Sequence, residues 1–372
     1  MTRSDALWPA RGAPTPLSHP VSHARPLPVS LGMHTDMHTP MHTLRTSAAP
    51  RSRTPLRVLV TGATGVVGRR VVPLLVAAGH RVTALGRTPG KRAALEAAGA
   101  TAVDVSLFDG AALREAVAGH DAVVNLATHI PRSTARMLLP GAWRENDRVR
   151  RLGSAALADA ALAAGVGRFV QESFAPMYAD GGDRWLDERA PVRPARYNRS
   201  ALDAERAAAR VTAAGGAGVV LRFGWFYGPD ATHLPDLVRG VRLGWAPLPG
   251  AAGAYFSSVA HDDAATAVVA ALGAPAGVYN VADDEPLTRR AFADALAAAL
   301  GCPPPRLLPA WAPRLMGSLG ELGSRSVRLS NRALRAATGW APRVPSAREG
   351  FRALGLVRPG AGAAGHPAML NA

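Results

Sequence analysis

The chain has 372 residues, 48% apolar and 19% charged, enough to bury one large core or two smaller ones and too apolar for wholesale disorder. Its single cysteine, Cys302, excludes an internal disulfide framework, so no oxidising compartment is needed and the cytoplasm is the expected location. The net charge of +16 does not imply nucleic acid: Lys91 is the only lysine, the arginines are scattered, no nucleic-acid motif accompanies them, and no nucleic-acid partner is expected.

Residues 1–55 are rich in Pro, His, Ser, Thr and Arg, carry acid only at Asp5 and Asp36, and show neither helical nor strand periodicity, which predicts a disordered tail. The triplet Met-His-Thr recurs at Met33, Met37 and Met41 and spaces His34, His38 and His42 four apart. With Pro40 among them and no carboxylate cluster beside them, no metal site is expected. The internal methionines are compatible with a translation start later than Met1. No secretory core stands near the start, and the nearest approach to a long apolar run, residues 264–282, is interrupted by Pro275 and Asn280. No membrane partner is expected.

From Leu56 the pattern becomes regular. A β-branched run at 57–60 leads into a glycine loop and then an apolar-periodic helix from Arg69 to Ala78, which Gly79 ends. Strands follow at 80–85, 101–105, 122–127, 168–171 and 219–223, with helices at 111–118, 147–164 and 197–214 between them. Repeated strand–helix units of this size predict an α/β fold with a Rossmann-type, doubly wound parallel sheet over 56–225. The looser stretch 226–358, with helices near 262–271 and 288–300 and a strand near 278–281, predicts a smaller substrate-binding domain, and 359–372 a flexible tail.

The loop reads Thr61-Gly62-Ala63-Thr64-Gly65-Val66-Val67-Gly68, its glycines three apart between a strand and a helix. Gly62 permits the turn, Gly65 lets backbone approach a pyrophosphate, and Gly68 lets helix and strand pack, while the helix N-terminus faces the negative charge. An NAD binder usually places an acid about twenty residues further on. Here 80–92 holds none, and Arg87 follows the second strand with Lys91 and Arg92 behind it, so NADP is expected in preference to NAD.

These residues resemble the extended short-chain dehydrogenases, the NAD-dependent epimerase/dehydratase family, over roughly 56–356. Asp104-Val105 is similar to the pair that family places beside the adenine, and Leu126-Ala127-Thr128 to its strand end beneath the nicotinamide ribose. The stretches 191–205, 221–229, 261–265 and 277–281 resemble further landmarks of the same family. The resemblance implies hydride transfer to or from a nicotinamide on a small hydroxyl or carbonyl substrate, a sugar nucleotide among the candidates. It also implies proton transfer through a tyrosine whose pKa is lowered by a lysine four residues on. Helices of this fold often pair into homodimers in that family.

Tyr197 matches the tyrosine, but the lysine position is Ala201, and the supporting Ser/Thr position is Phe174. Ser173, next to it, is the candidate helper. An unaided tyrosine titrates near 10, so about one molecule in a thousand is phenolate at neutral pH. Arg196 and Arg199 flank Tyr197 and either replace part of the missing charge or point to water. His129 is a candidate acid or base at a strand end, and Glu172 is either a site carboxylate or an ion-pair partner. Two functions follow: an NAD(P)-dependent oxidoreductase or epimerase using Tyr197 and Ser173, or a catalytically weak or inactive dinucleotide-binding sensor or assembly factor. The loops 131–144 and 228–255, rich in Arg and Trp, are expected to select the substrate.

Overall fold

Seven strands alternate with helices in a computed structural model that describes residues 54–356, except 132, 133, 138, 140 and 310. The predicted tails, with His34, His38 and His42, lie outside the described residues. In chain order the strands of the main sheet are β1 (Arg57–Thr61), β2 (Arg81–Leu85), β3 (Thr101–Val103), β4 (Ala122–Asn125), β5 (Arg168–Phe174), β6 (Ala217–Phe223) and β7 (Gly277–Val281). They form one sheet in the order β7-β6-β5-β4-β1-β2-β3, and every neighbouring pair is parallel. The predicted Rossmann-type sheet is present.

Strand alternation divides the core in two. Val58, Val60, Val124, Val170, Val219 and Leu221 face one side, where α1 (Gly68–Ala77) and the helix His261–Ala271 cover them. Leu59, Val123, Phe169 and Val220 face the other, under Gly110–Val117, Ser154–Ala163 and Ser200–Ala213. Because both faces are covered, the strands are continuously apolar, as parallel sheets require. Each fully buried Val or Leu contributes about 1.5–3 kcal/mol of transfer free energy.

A further core lies between residues 227 and 356, built on aromatic contacts: Phe292 meets Phe256 at 4.9 Å and Phe351 at 5.0 Å, both edge to face. The expected division at residue 225 is crossed, however. β7 comes from beyond it and extends the main sheet beside β6, because a Val/Tyr/Val run with an apolar partner strand is better buried at a sheet edge than left in a small domain. The described residues all fall within one compact unit.

One helix departs from regularity. Arg144–Arg148 and Ser154–Ala163 are joined by a π-turn, Val149–Gly153, whose geometry swings Arg150 inward until it is 3% exposed.

Candidate active site

The carboxyl ends of β1, β4 and β5 are tied together by buried side chains. Thr61 donates to Asn125 Oδ1 at 2.6 Å, and Asn125 Nδ2 donates to Ser154 Oγ at 3.0 Å and Gln171 Oε1 at 2.8 Å. This fixes the sheet edge above which the glycine loop turns.

Gly62 has φ of 66°, and a Cβ there would stand 2.4 Å from the Leu126 carbonyl; at Gly68 it would stand 2.2 Å from the Gly62 oxygen. The fold itself demands these two glycines. At Gly65 an added Cβ would meet only the Gly62 oxygen, at 3.1 Å, so the space above it is open to a ligand rather than filled by protein. α1 has no side-chain cap and no acid in its first turn, which leaves its amides to an anion. The loop thus fits a dinucleotide pyrophosphate. Gly65→Ala is expected to weaken dinucleotide binding by more than about tenfold with little change in melting temperature, read by calorimetric titration beside thermal unfolding. A large loss of stability with unchanged affinity would show that Gly65 serves packing instead.

After β2, Thr88 caps the helix Pro89–Ala97 by accepting from the Lys91 amide. Arg92 is occupied, donating to Asp104 at 2.7 Å and to the Gly86 carbonyl. Arg87 and Lys91 are exposed and make no ion pair among the described residues. Asp104 spends its carboxylate on Arg92, while Val105 packs half-buried against the sheet. Of the three cations that follow β2, Arg92 is thus engaged within the protein, while Arg87 and Lys91 are not ion-paired among the described residues.

A cleft opens beside the loop. Its walls include Val66 and Val67, Leu126 and Thr128 past β4, Glu172 and Phe174 on β5, and Tyr197 with Asn198; Trp143, Phe223, Trp225 and Phe226 add aromatic surface. Ala63 and Ala127 lie buried behind this wall. Tyr197 is held by Trp143, with ring centroids 4.6 Å apart. Burial pushes its phenol above the usual tyrosine range, and the charges of Arg150 and Arg325 only partly oppose this. Ala201 is fully buried and supplies no cation.

Ser173 is not in the cleft. Alternation along β5 turns Glu172 and Phe174 toward it and Ser173 to the opposite side, where its hydroxyl donates to Glu205 at 2.6 Å. The expectation that Ser173 assists catalysis is corrected accordingly. Glu205 also takes a two-pronged contact from Arg222, at 2.8 and 2.7 Å, and Arg222 reaches the Tyr178 hydroxyl at 2.9 Å. Tyr178, raised to about 12 by burial, donates onward to Asn280.

His129 is exposed and is not among the lining residues; its amide donates to Asn146 Oδ1. Arg196 and Arg199 point to water. Glu172 does line the cleft, and it pairs with Arg150 at 2.7 Å. Sequence reasoning gave no individual role to Arg150, Asn198, Trp143, His233 or His261, all of which line the cleft. Asn198 and His261 fall in recognised stretches, and Trp143 and His233 in the loops expected to select the substrate, so only Arg150 carried no signal. Burial pushes His261 down to about 4, so it is neutral at physiological pH, and its Nδ1 has no partner. Among the described residues no group of three or more His, Cys, Asp or Glu could hold a metal ion, and no helix is long and apolar enough to cross a membrane.

Residues 58–282 match the model of the NAD dependent epimerase/dehydratase family. A 3-diazoavenalumate denitrifying reductase from Streptomyces sp is 37% identical over 312 residues, covering 80% of this chain and 99% of the relative. A UDP-glucose 4-epimerase of Thermus thermophilus, solved with NAD, superposes with a TM-score of 0.63 at 26% identity, covering 81% of this chain and 98% of its own. A human epimerase family protein solved with NADPH gives a TM-score of 0.66 at 24% identity, over 81% of this chain and 99% of its own, a likeness of fold. The chain belongs to the NAD-dependent epimerase/dehydratase family, and these two solved structures similar to it hold NAD or NADPH.

Proposed function

We propose that this family member is an NADPH-dependent reductase that works on a flat, largely apolar small molecule and runs in the reductive direction. The observation that carries this reading is the state of Tyr197: buried, without a lysine at position 201, and with its phenol held protonated. An epimerase or an alcohol dehydrogenase must first oxidise its substrate, which requires a phenolate to take the hydroxyl proton. A reductase requires the opposite, a phenol able to give a proton. Oxidation is therefore disfavoured by burial, and reduction is not.

Bound along the Gly65 cradle, the reduced dinucleotide would supply a hydride. The chain's own residues then do the rest. Thr128 and Leu126 at the end of β4 form the floor, Trp143 and Phe174 hold a planar substrate, and Tyr197 Oη gives a proton to a carbonyl oxygen as it becomes an alcohol. The segment 226–358 is proposed to supply the substrate-selecting cover, since Ala231, Thr232 and His233 face the cleft. The lining is predominantly apolar and aromatic, which suits an aryl or polyketide-like carbonyl better than a sugar nucleotide.

The free Arg87 and Lys91 support NADPH over NADH. Arg87→Ala is expected to weaken NADPH by about tenfold to a hundredfold and leave NADH unchanged, as loss of a charge-assisted contact to the 2′-phosphate would. Equal affinity for the two forms in the unaltered protein would overturn the preference.

A second acceptor is favoured by a specific observation, the 37% identity to a diazo-compound reductase across nearly all of that protein. An aryl diazonium group that accepts hydride becomes an aryldiazene, which releases dinitrogen and leaves a C–H bond. No proton from the protein is needed, so the absence of the lysine and of the Ser/Thr helper is no handicap. An NADPH-oxidation screen holding aryl ketones, aryl aldehydes and aryl diazonium salts tests both acceptors. Turnover of neither class, with NADPH bound, would refute the reductase reading.

A further inference from the structure

Four buried polar groups near Tyr197 are left with unused hydrogen-bonding atoms. Arg150 donates from one terminal nitrogen to Glu172 Oε1 at 2.7 Å, and its Nε has no partner; Glu172 Oε2 has none either. Asn198 is 1% exposed with both amide atoms unpartnered, and Asn146 Nδ2 is unpartnered as well. Each such buried group costs free energy unless something satisfies it, and native proteins keep few. Arg150, Glu172 and Asn198 all line the cleft.

The backbone supports a built site. Arg150 stands on the π-turn Val149–Gly153, and π-turns inside helices concentrate at functional sites because they re-aim one side chain. Among the described residues that line the cleft Arg150 is the one arginine, and Glu172 cancels its charge.

We infer that Arg150, Glu172 and Asn198 form a subsite for a neutral substrate group that both donates and accepts hydrogen bonds, a hydroxyl or a carboxamide, and that Glu172 excludes carboxylates. The inference rests on the reductase reading for its location and extends it to substrate specificity. Arg150 Nε offers a donor, Glu172 Oε2 an acceptor, and the Asn198 amide one of each, so a hydroxyl or primary amide is matched on both sides. A carboxylate placed there meets Glu172 with like charge, and the single Arg150 charge is already neutralised. Trp143 and Phe174 on the cleft wall hold the apolar body that carries such a group.

The test uses the full chain loaded with NADP+, titrated calorimetrically with benzamide and with benzoate, so no turnover is required. The unaltered protein is expected to bind benzamide at least about tenfold more tightly than benzoate, a difference the size of one charged mismatch. In Glu172→Gln the order reverses, because Arg150 is then uncompensated. In Asn198→Leu benzamide weakens, and benzoate stays as weak as before. Thermal unfolding of each variant accompanies the titration; if Glu172→Gln does not fold, Asn198→Leu and the unaltered protein decide. Benzoate binding equal to or tighter than benzamide in the unaltered protein, an order unmoved in Glu172→Gln, or binding of neither probe would overturn the subsite. Failure of the reductase reading shows up separately, as NADPH binding without turnover in the acceptor screen.

Discussion

Replacing Tyr197 with Phe lowers turnover of a carbonyl acceptor by about 10²- to 10⁴-fold, the usual contribution of a positioned proton donor, and leaves the NADPH dissociation constant unchanged. The substitution removes one oxygen and keeps the ring that packs against Trp143, so folding is not disturbed. The sign of the pH dependence follows from burial. The phenol is raised above its ordinary value, so it remains the protonated donor throughout the neutral and moderately alkaline range, and turnover does not fall as pH rises from 7 to about 10 on account of Tyr197. A lysine-assisted tyrosine would lose its proton within that range. The same variant separates the two acceptor classes: with an aryl diazonium salt the turnover survives, since no proton is required of the protein. Full activity of Tyr197→Phe toward a ketone would remove Tyr197 from the chemistry.

The second large effect is structural. Glu205→Ala is expected to cost about 3–5 kcal/mol, because it leaves the Arg222 guanidinium buried and uncompensated beneath the sheet. Arg222 and Glu205 meet through two hydrogen bonds, and Ser173 and Tyr178 join the same network, so its loss is shared among four residues. Chemical denaturation read by tryptophan fluorescence measures it. Ser173→Ala removes one contact to a carboxylate and is expected to cost about 1.5 kcal/mol, with turnover intact. Loss of turnover in Ser173→Ala without loss of stability would return Ser173 to the catalytic machinery, and a Glu205→Ala change below about 1 kcal/mol would show the buried pair to be dispensable.

The amino-acid sequence alone determined the architecture and the dinucleotide loop. Strand runs of Val, Leu and Ala, glycines at fixed offsets, and helices with an apolar stripe are local patterns, and local patterns survive without coordinates. The absence of a lysine beside Tyr197, and of any acid between residues 80 and 92, was equally legible, because both are statements about which residue occupies a place in a recognised spacing. What the sequence could not settle were questions of direction. Ser173, Glu172 and Phe174 are neighbours in the chain, and a strand sends alternate side chains to opposite faces. A shift of one residue thus decides whether a hydroxyl or a carboxylate enters the cleft. β7 looked like part of a separate domain because pairing between residues 277–281 and 219–223 is not local. Arg150 looked like one more solvated arginine on a helix, and only the π-turn on which it stands makes it the buried partner of Glu172 on β5. Composition and spacing fix which groups a chain owns, whereas burial, register and helix irregularity fix which of them meet, and those depend on contacts far apart in sequence.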